Sequence, residues 1–206
     1  MFDSVIFDMD GVLVDTEVFY FKRRMAFFEE IGVKPDATGI NECLGKTEEG
    51  IWTTLVRDET QRKELRNQYV EYRKAHPIDY PSVLQPGVKQ LLQEIRQRKR
   101  KLAIASSSPL KEIQKMLEEC VLTSYFDVIV SGAELKESKP NPMIYEKTKA
   151  VLGTKRAVAV EDSVVGITAA KRAGLFTFAL EQPFEVDQTQ ADQKIKTLWE
   201  IANWLD

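Results

Sequence analysis

Ser4-Val5-Ile6-Phe7-Asp8-Met9-Asp10-Gly11-Val12 decides the fold of this chain. Val5-Ile6-Phe7 is apolar at consecutive positions, as in a strand buried on both faces. The run stops at two carboxylates and a glycine. Residues two apart on a strand project to the same side, so Asp8 and Asp10 point together. Two acids on one side repel unless a proton, a cation or water separates them. A buried strand that ends this way implies a sheet edge opening into a metal-dependent reaction site.

Working outward, the pattern turns helical. Val18, Phe21, Met25 and Phe28 recur at three- and four-residue steps up to Gly32. Further helices follow to about Ala75, with breaks at Pro35-Asp36 and Leu44-Gly45-Lys46-Thr47; residues 62–75 are highly charged and fit an exposed helix. The stretch 76–87 holds three prolines and reads as a connector. From Pro86 onward apolar strands alternate with helices. Strands are expected at 101–105, 126–130, 157–160 and 176–180, and helices at 88–98, 110–119, 142–152, 165–173 and 191–205. This alternation predicts an α/β fold with a doubly wound parallel sheet covered on both faces. The expected division is a core of residues 1–15 and 81–206, with an all-helical insert, residues 16–80, after the first strand.

In open parallel sheets ligands bind at the carboxyl ends of the strands. One strand ends at Asp8 and Asp10, a second at Ser106-Ser107-Ser108 and a later one at Glu161-Asp162. Between the last two lies the loop Glu137-Ser138-Lys139-Pro140-Asn141-Pro142. Two carboxylates ~4 Å apart repel by ~4 kcal/mol at an effective dielectric of ~20. A divalent cation removes that penalty, and an all-oxygen set without nearby Cys or His favours Mg²⁺ over Zn²⁺. Ser108-Pro109 reads as an N-cap followed by proline at the first helical position. A helix N-terminus with hydroxyls nearby is an anion site, and Lys139 adds positive charge. A cation on one side and an anion cradle on the other describe phosphoryl transfer. A carboxylate at Asp8 is ionised well above its reference pKa of ~3.9 and needs no activating base. A second carboxyl can protonate the leaving oxygen. Taken singly, each element has a plainer reading: a turn, a helix cap, a surface loop, a helix start. Their coincidence at strand ends carries the inference.

Other features narrow the function. The net charge is −3, and Arg96-Gln97-Arg98-Lys99-Arg100-Lys101 has no interleaved aromatics. That run reads as a solvated helix end complementing the helix dipole, so no nucleic-acid partner is expected. Cys43 and Cys120 form no metal or disulfide pattern. No stretch approaches the ~20 apolar residues of a membrane span. No secretory leader is expected either. No membrane association is expected, and cytoplasmic residence is the default expectation. His76 is the single histidine, which excludes catalysis by paired histidines. Gly45-Lys46-Thr47 looks like the tail of a phosphate-binding P-loop, but Ile40 stands where that motif needs glycine and no strand precedes it. No apolar stripe is left over, so a monomer is expected.

Phe7-Asp8-Met9-Asp10-Gly11-Val12-Leu13-Val14-Asp15-Thr16, followed in order by Ser106, Lys139 and Glu161-Asp162, resembles the four motifs of the haloacid dehalogenase superfamily. The layout resembles its β-phosphoglucomutase-like phosphatase subgroup over essentially the whole chain. The resemblance implies that Asp8 is the nucleophile, forming an aspartyl-phosphate. Asp10 becomes the general acid and then the base, and offers its backbone carbonyl to Mg²⁺. Ser106, Ser107 and Lys139 become phosphate-binding, and Asp8, Asp10, Asp162 and Glu161 the metal site, Glu161 directly or through water. The insert becomes a mobile cap, hinged at Asp15-Thr16 and near Asp79–Pro81, with Gly45, Lys46 and Thr47 on a loop that reaches the substrate.

Within the superfamily, dehalogenases lack the second aspartate, and ion-pumping ATPases carry threonine there. Phosphonate-cleaving members use a cap lysine with no clear counterpart here. Sugar phosphomutases carry cationic groups where this chain has Tyr20, Glu48 and Glu71. The implied activity is a Mg²⁺-dependent phosphatase acting on a small phosphorylated metabolite, a sugar or polyol phosphate. A sugar phosphomutase is the alternative. A non-catalytic phospho-receiver domain also combines acids, a hydroxyl and a lysine, but is shorter and lacks the insert.

Overall fold

A computed structural model describes residues 2–44, 46 and 48–204. Its centre is β1, Ser4–Phe7, with every residue buried. Strands β2 (Lys101–Ser106), β3 (Val128–Ser131), β4 (Ala157–Glu161), β5 (Phe176–Leu180) and β6 (Gln193–Ile195) complete one sheet in the order β3-β2-β1-β4-β5-β6, all pairs parallel. Consecutive apolar residues suit these strands because helices cover both faces. Ile6, Ala103, Ala105, Ala157 and Ala159 form one core with Ile144, Tyr145 and Leu152 of α6 (Met143–Leu152) and Ala169 and Ala170 of α7 (Val164–Arg172). The alternate residues, Val5, Phe7, Leu102, Ile104, Val158 and Val160, are fully buried on the opposite face. There α4 (Val88–Gln97) packs on β2, and α5 (Leu110–Glu119) on β3. Each buried Val, Leu, Ile or Phe contributes about 1.5–3 kcal/mol, so the alternating apolar pattern is the main stabilising term.

The chain separates into two compact units, Met1–Asp15 with Tyr80–Asp206, and Thr16–Asp79. Tyr80, assigned above to the insert, clusters with the α/β unit. Its ring is fully buried and its hydroxyl donates to Glu112 at 3.1 Å. The helical unit contains α1 (Thr16–Glu30), α2 (Glu48–Leu55) and α3 (Glu59–Ala75) around its own core of Phe27, Phe28, Trp52, Leu55, Leu65 and Tyr69. Trp52 and Phe27 both meet the Tyr69 ring edge-on at 5.3 Å. Helix α3 is charged as expected, yet Leu65 and Tyr69 turn inward at a four-residue step. The Asp58 side chain caps it by accepting from the Gln61 N–H at 2.7 Å. His76 ends that helix with its ring stacked on Tyr72 at 4.0 Å, the structural role expected of a connector residue.

Two sequence expectations are corrected. Residues 191–205 were expected to form a helix. Gln193–Ile195 instead add a sixth strand, and Leu198–Trp204 form a 3-10 helix. A free parallel edge on β5 captures the backbone of Gln193–Ile195. The three-residue step Leu198, Ile201, Trp204 then suits 3-10 geometry as well as α. Strand β3 begins two residues later than expected, after a 3-10 turn at Thr123–Tyr125. The basic run at 96–101 is partly tied down. Arg96 pairs with Asp127, Arg98 donates to the Ala202 carbonyl, and Lys101 donates to the Leu152 carbonyl. Among the described residues no helix is long and apolar enough to cross a membrane.

Candidate active site

The strand order reverses direction at β1: β2 and β3 lie on one side, β4 to β6 on the other. Such a switch point opens a crevice at the carboxyl ends of the two diverging strands. Asp8 follows β1 there, and its N–H donates to the Val160 carbonyl of β4 at 3.0 Å. Phe7 is in register with Val160 on one side and Ile104 on the other. Asp8 is thereby placed beside Glu161 and Ala105.

Lys139 joins these strands. Its ammonium donates to Asp8 Oδ1 at 2.7 Å, to Glu161 Oε1 at 2.6 Å and to the Ala105 carbonyl at 3.0 Å. The loop that presents it contains a cis Lys139–Pro140 peptide. All three Lys139 protons have protein acceptors, so a phosphoryl group at this lysine shares donors already engaged. Asp8, Glu161 and Asp162 are buried, and each offers a carboxylate oxygen within 4.8 Å of the others. Burial pushes the Asp8 carboxyl up, to about 7, against the pull of Lys139, and the Glu161 carboxylate adds to the rise. Burial alone would lower Lys139, but the Asp8 and Glu161 carboxylates reverse that and hold it above the ordinary lysine range.

The Lys139 ammonium thus pairs with two of these three buried acids, Asp8 and Glu161. The excess negative charge and the all-oxygen donor set fit a divalent cation. The loop after β1 is shaped to this cluster. Gly11 has φ +80°, and a Cβ there would lie 2.1 Å from Asp162 Oδ2. Glycine is needed for both reasons. Gln182 donates to the Gly11 carbonyl at 3.0 Å, and the buried Gln188 donates to the Asp162 carbonyl at 2.8 Å.

Asp10 is not one of the three clustered acids, although its charge also raises Asp8. Its Oδ2 accepts from the Ser108 hydroxyl at 2.7 Å. This corrects the expected role of Ser108. Pro109, with φ −56° and ψ 143°, occupies the cap position of α5 without a side-chain bond, and Leu110 begins the helix. The serine is released from capping and serves Asp10. Ser106 is buried, and its hydroxyl accepts from the Ser108 N–H at 3.1 Å; Ser107 is exposed. Glu161 and Asp162 precede α7 rather than begin it. Ser163 is the N-cap, accepting from the Gly166 N–H at 3.1 Å.

Of the other singled-out residues, the Asp15 N–H donates to the Val83 carbonyl at 2.7 Å, and Thr16 opens α1 as a buried residue. Lys46 donates to Thr54 Oγ1 at 2.7 Å within the helical unit. Gly45 and Thr47 lie outside the described residues. Glu48 pairs with buried Arg24 and accepts from the Trp52 indole at 2.9 Å, whereas Glu71 pairs with Lys74. Two site residues escaped the sequence reading. The fully buried Tyr145 donates its hydroxyl to Glu161. Burial and the Glu161 carboxylate hold its phenol well above the usual range, so it stays a donor. A tyrosine on a helix carries no sequence signal of this. Gly166, inside a helix, did carry one, since an interior glycine often marks a close approach.

Residues 5–180 match the haloacid dehalogenase-like hydrolase family. A phosphorylated carbohydrates phosphatase of Thermotoga maritima is 33% identical over 180 residues, 84% of this chain and 82% of that protein. A β-phosphoglucomutase of Bacillus subtilis is 32% identical over 191 residues, 87% and 83% of the two chains. The crystal structure of CbbY from Rhodobacter sphaeroides in complex with phosphate superposes with a TM-score of 0.71 at 25% identity, covering 98% of this chain and 96% of that one. The switch-point acids, the lysine between them and this match across the sheet lead to one conclusion: the chain is an enzyme of the haloacid dehalogenase-like hydrolase family.

Proposed function

We propose that this enzyme is a Mg²⁺-dependent phosphatase that hydrolyses a small phosphorylated carbohydrate, a sugar or polyol phosphate, through an aspartyl-phosphate on Asp8. The observation that carries this reading is the buried Asp8–Lys139–Glu161 arrangement beside Asp162, with Asp10 held separately by Ser108. The two aspartates thus have different partners and can take different roles. A carboxylate oxygen of Asp8 attacks phosphorus while the bond from phosphorus to the substrate oxygen breaks. Asp10 gives its proton to that departing oxygen. Asp10 then takes a proton from water, whose oxygen displaces Asp8 from phosphorus and releases inorganic phosphate. Ser108 orients Asp10 for both transfers, and Ser106 and Lys139 hold the phosphoryl group. Asp8, Asp162 and the Asp10 carbonyl would hold the cation, with Glu161 beside them; when bound, it neutralises the negative charge that these acids and the phosphoryl oxygens bring together. The helical unit is proposed as the cap, with Lys46 on its substrate loop.

Similarity to a mutase makes phosphoryl return to a sugar hydroxyl the second reading. Glu48 and Glu71 weigh against it, since both are acids engaged with cations of the helical unit. The deciding measurement is a panel of sugar, polyol, nucleotide and acid phosphates with Mg²⁺, scored for free phosphate and for isomers together. Free phosphate from a sugar or polyol phosphate is expected, with Asp8→Asn inactive yet folded. Isomer formation dependent on a bisphosphate, with little phosphate released, would replace this reading with the mutase.

A further inference from the structure

Glu161 is fully buried and every side of its carboxylate is engaged. Oε1 accepts from Lys139 and from the Tyr145 hydroxyl. Oε2 accepts from the Asp162 N–H at 3.2 Å and the Ser163 hydroxyl at 3.4 Å. Helix α7 closes the remaining side, because a Cβ on Gly166 would lie 2.0 Å from Oε2. A carboxylate oxygen has two lone pairs, so Tyr145 and Lys139 share one fully used acceptor. The Lys139 ammonium also lies 5.2 Å from the Tyr145 ring centroid. Among the described residues, the other side-chain acceptor of Lys139 is Asp8.

We infer that the Tyr145 hydroxyl is a positioning group for catalysis, acting through Glu161 to set how the Lys139 ammonium divides between Glu161 and Asp8. Without that hydroxyl, Oε1 keeps charge that it now shares with the phenol. It then draws Lys139 away from Asp8, and the Asp8 carboxylate turns out of the direction that serves phosphorus and the cation. The ring itself packs in the core of α6 and the sheet. Phenylalanine preserves that packing and removes only the donor.

The inference rests on the phosphatase reading, and Tyr145→Phe and Tyr145→Leu test it separately from that reading. Divalent-cation affinity is measured by calorimetry on substrate-free enzyme, and kcat and KM on the preferred phosphate ester. Tyr145→Phe is expected to melt within a few degrees of wild type. It should lose about 10-fold or more in kcat and bind the cation about 10-fold more weakly, as for other groups that orient a metal-site residue, with substrate KM little changed. Wild-type cation affinity and kcat in Tyr145→Phe, with only Tyr145→Leu impaired, would reduce Tyr145 to packing and overturn the inference. The cation titration needs no turnover. An enzyme that releases no phosphate from any ester would therefore sink the functional reading while still reporting on Tyr145.

Discussion

Asp8 is held by opposing forces. Burial and the neighbouring Glu161 disfavour its charge, and Lys139 supports it. In cation-free enzyme the folded state keeps a proton on Asp8 up to about pH 7. The unfolded chain releases that proton near the ordinary carboxylate value of ~3.9. Between these values unfolding releases a proton, so stability falls as pH rises through the window. The loss is complete above about 7 and amounts to at most about 4 kcal/mol. Denaturant unfolding in chelator should therefore show lower stability at pH 7.5 than at pH 5. Asp8→Asn should flatten that slope, and a divalent cation should abolish it in wild type. An equal slope in Asp8→Asn would place its origin elsewhere. Asp8, Asp10 and Asp162 stand out in the sequence as candidates because ionisable residues at strand ends have few structural uses, and Lys139 stands out on the loop between two such ends. Tyr145 and the Ser108–Asp10 bond were not. Their significance lies in which carboxylate each hydroxyl reaches across the fold.

At the scale of elements, the strands and most helices follow from apolar runs and their spacing. The departures have local physical causes. Helix α5 spans Leu110–Glu119 as expected, but Pro109 holds its cap position without a side-chain bond, and the Ser108 hydroxyl is bonded to Asp10 instead of the helix backbone. The last helix gave way to β6 because the edge of β5 had unpaired backbone groups to satisfy. Helix α7 shows function overriding propensity. Gly166 costs helix stability of about 1 kcal/mol relative to alanine. Yet an alanine Cβ would meet the Glu161 carboxylate at 2.0–2.2 Å, and overpacking a filled site costs about 1–3 kcal/mol. Gly166→Ala is thus expected to be less stable than wild type and several-fold less active, read from melting curves and phosphate release. A variant at least as stable and as active as wild type would contradict the close approach of α7 to Glu161.

At the scale of the whole molecule, the two units have separate hydrophobic cores. Trp52 anchors the helical one, with 1% of its surface exposed. Trp52→Ala should cost about 3–5 kcal/mol there. Hydrogen exchange should then speed up across 16–79 while β1, β2 and β4 keep their protection. Equal loss of protection in both units would show that they unfold as one. The sequence by itself determined the α/β class, the helical insert after the first strand, the acids and serines at strand ends and the lysine on a loop between them, because hydrophobic period and residue chemistry are local properties. Only the tertiary structure decided the strand order that sets β1 between β2 and β4 and so places Asp8 beside Glu161. It alone also decided how Lys139 divides among three acceptors, the bond from Ser108 to Asp10 and the hold of Tyr145 on Glu161. Those contacts join residues from 16 to 131 positions apart, and parallel pairing through crossovers, not any local pattern, brings them together.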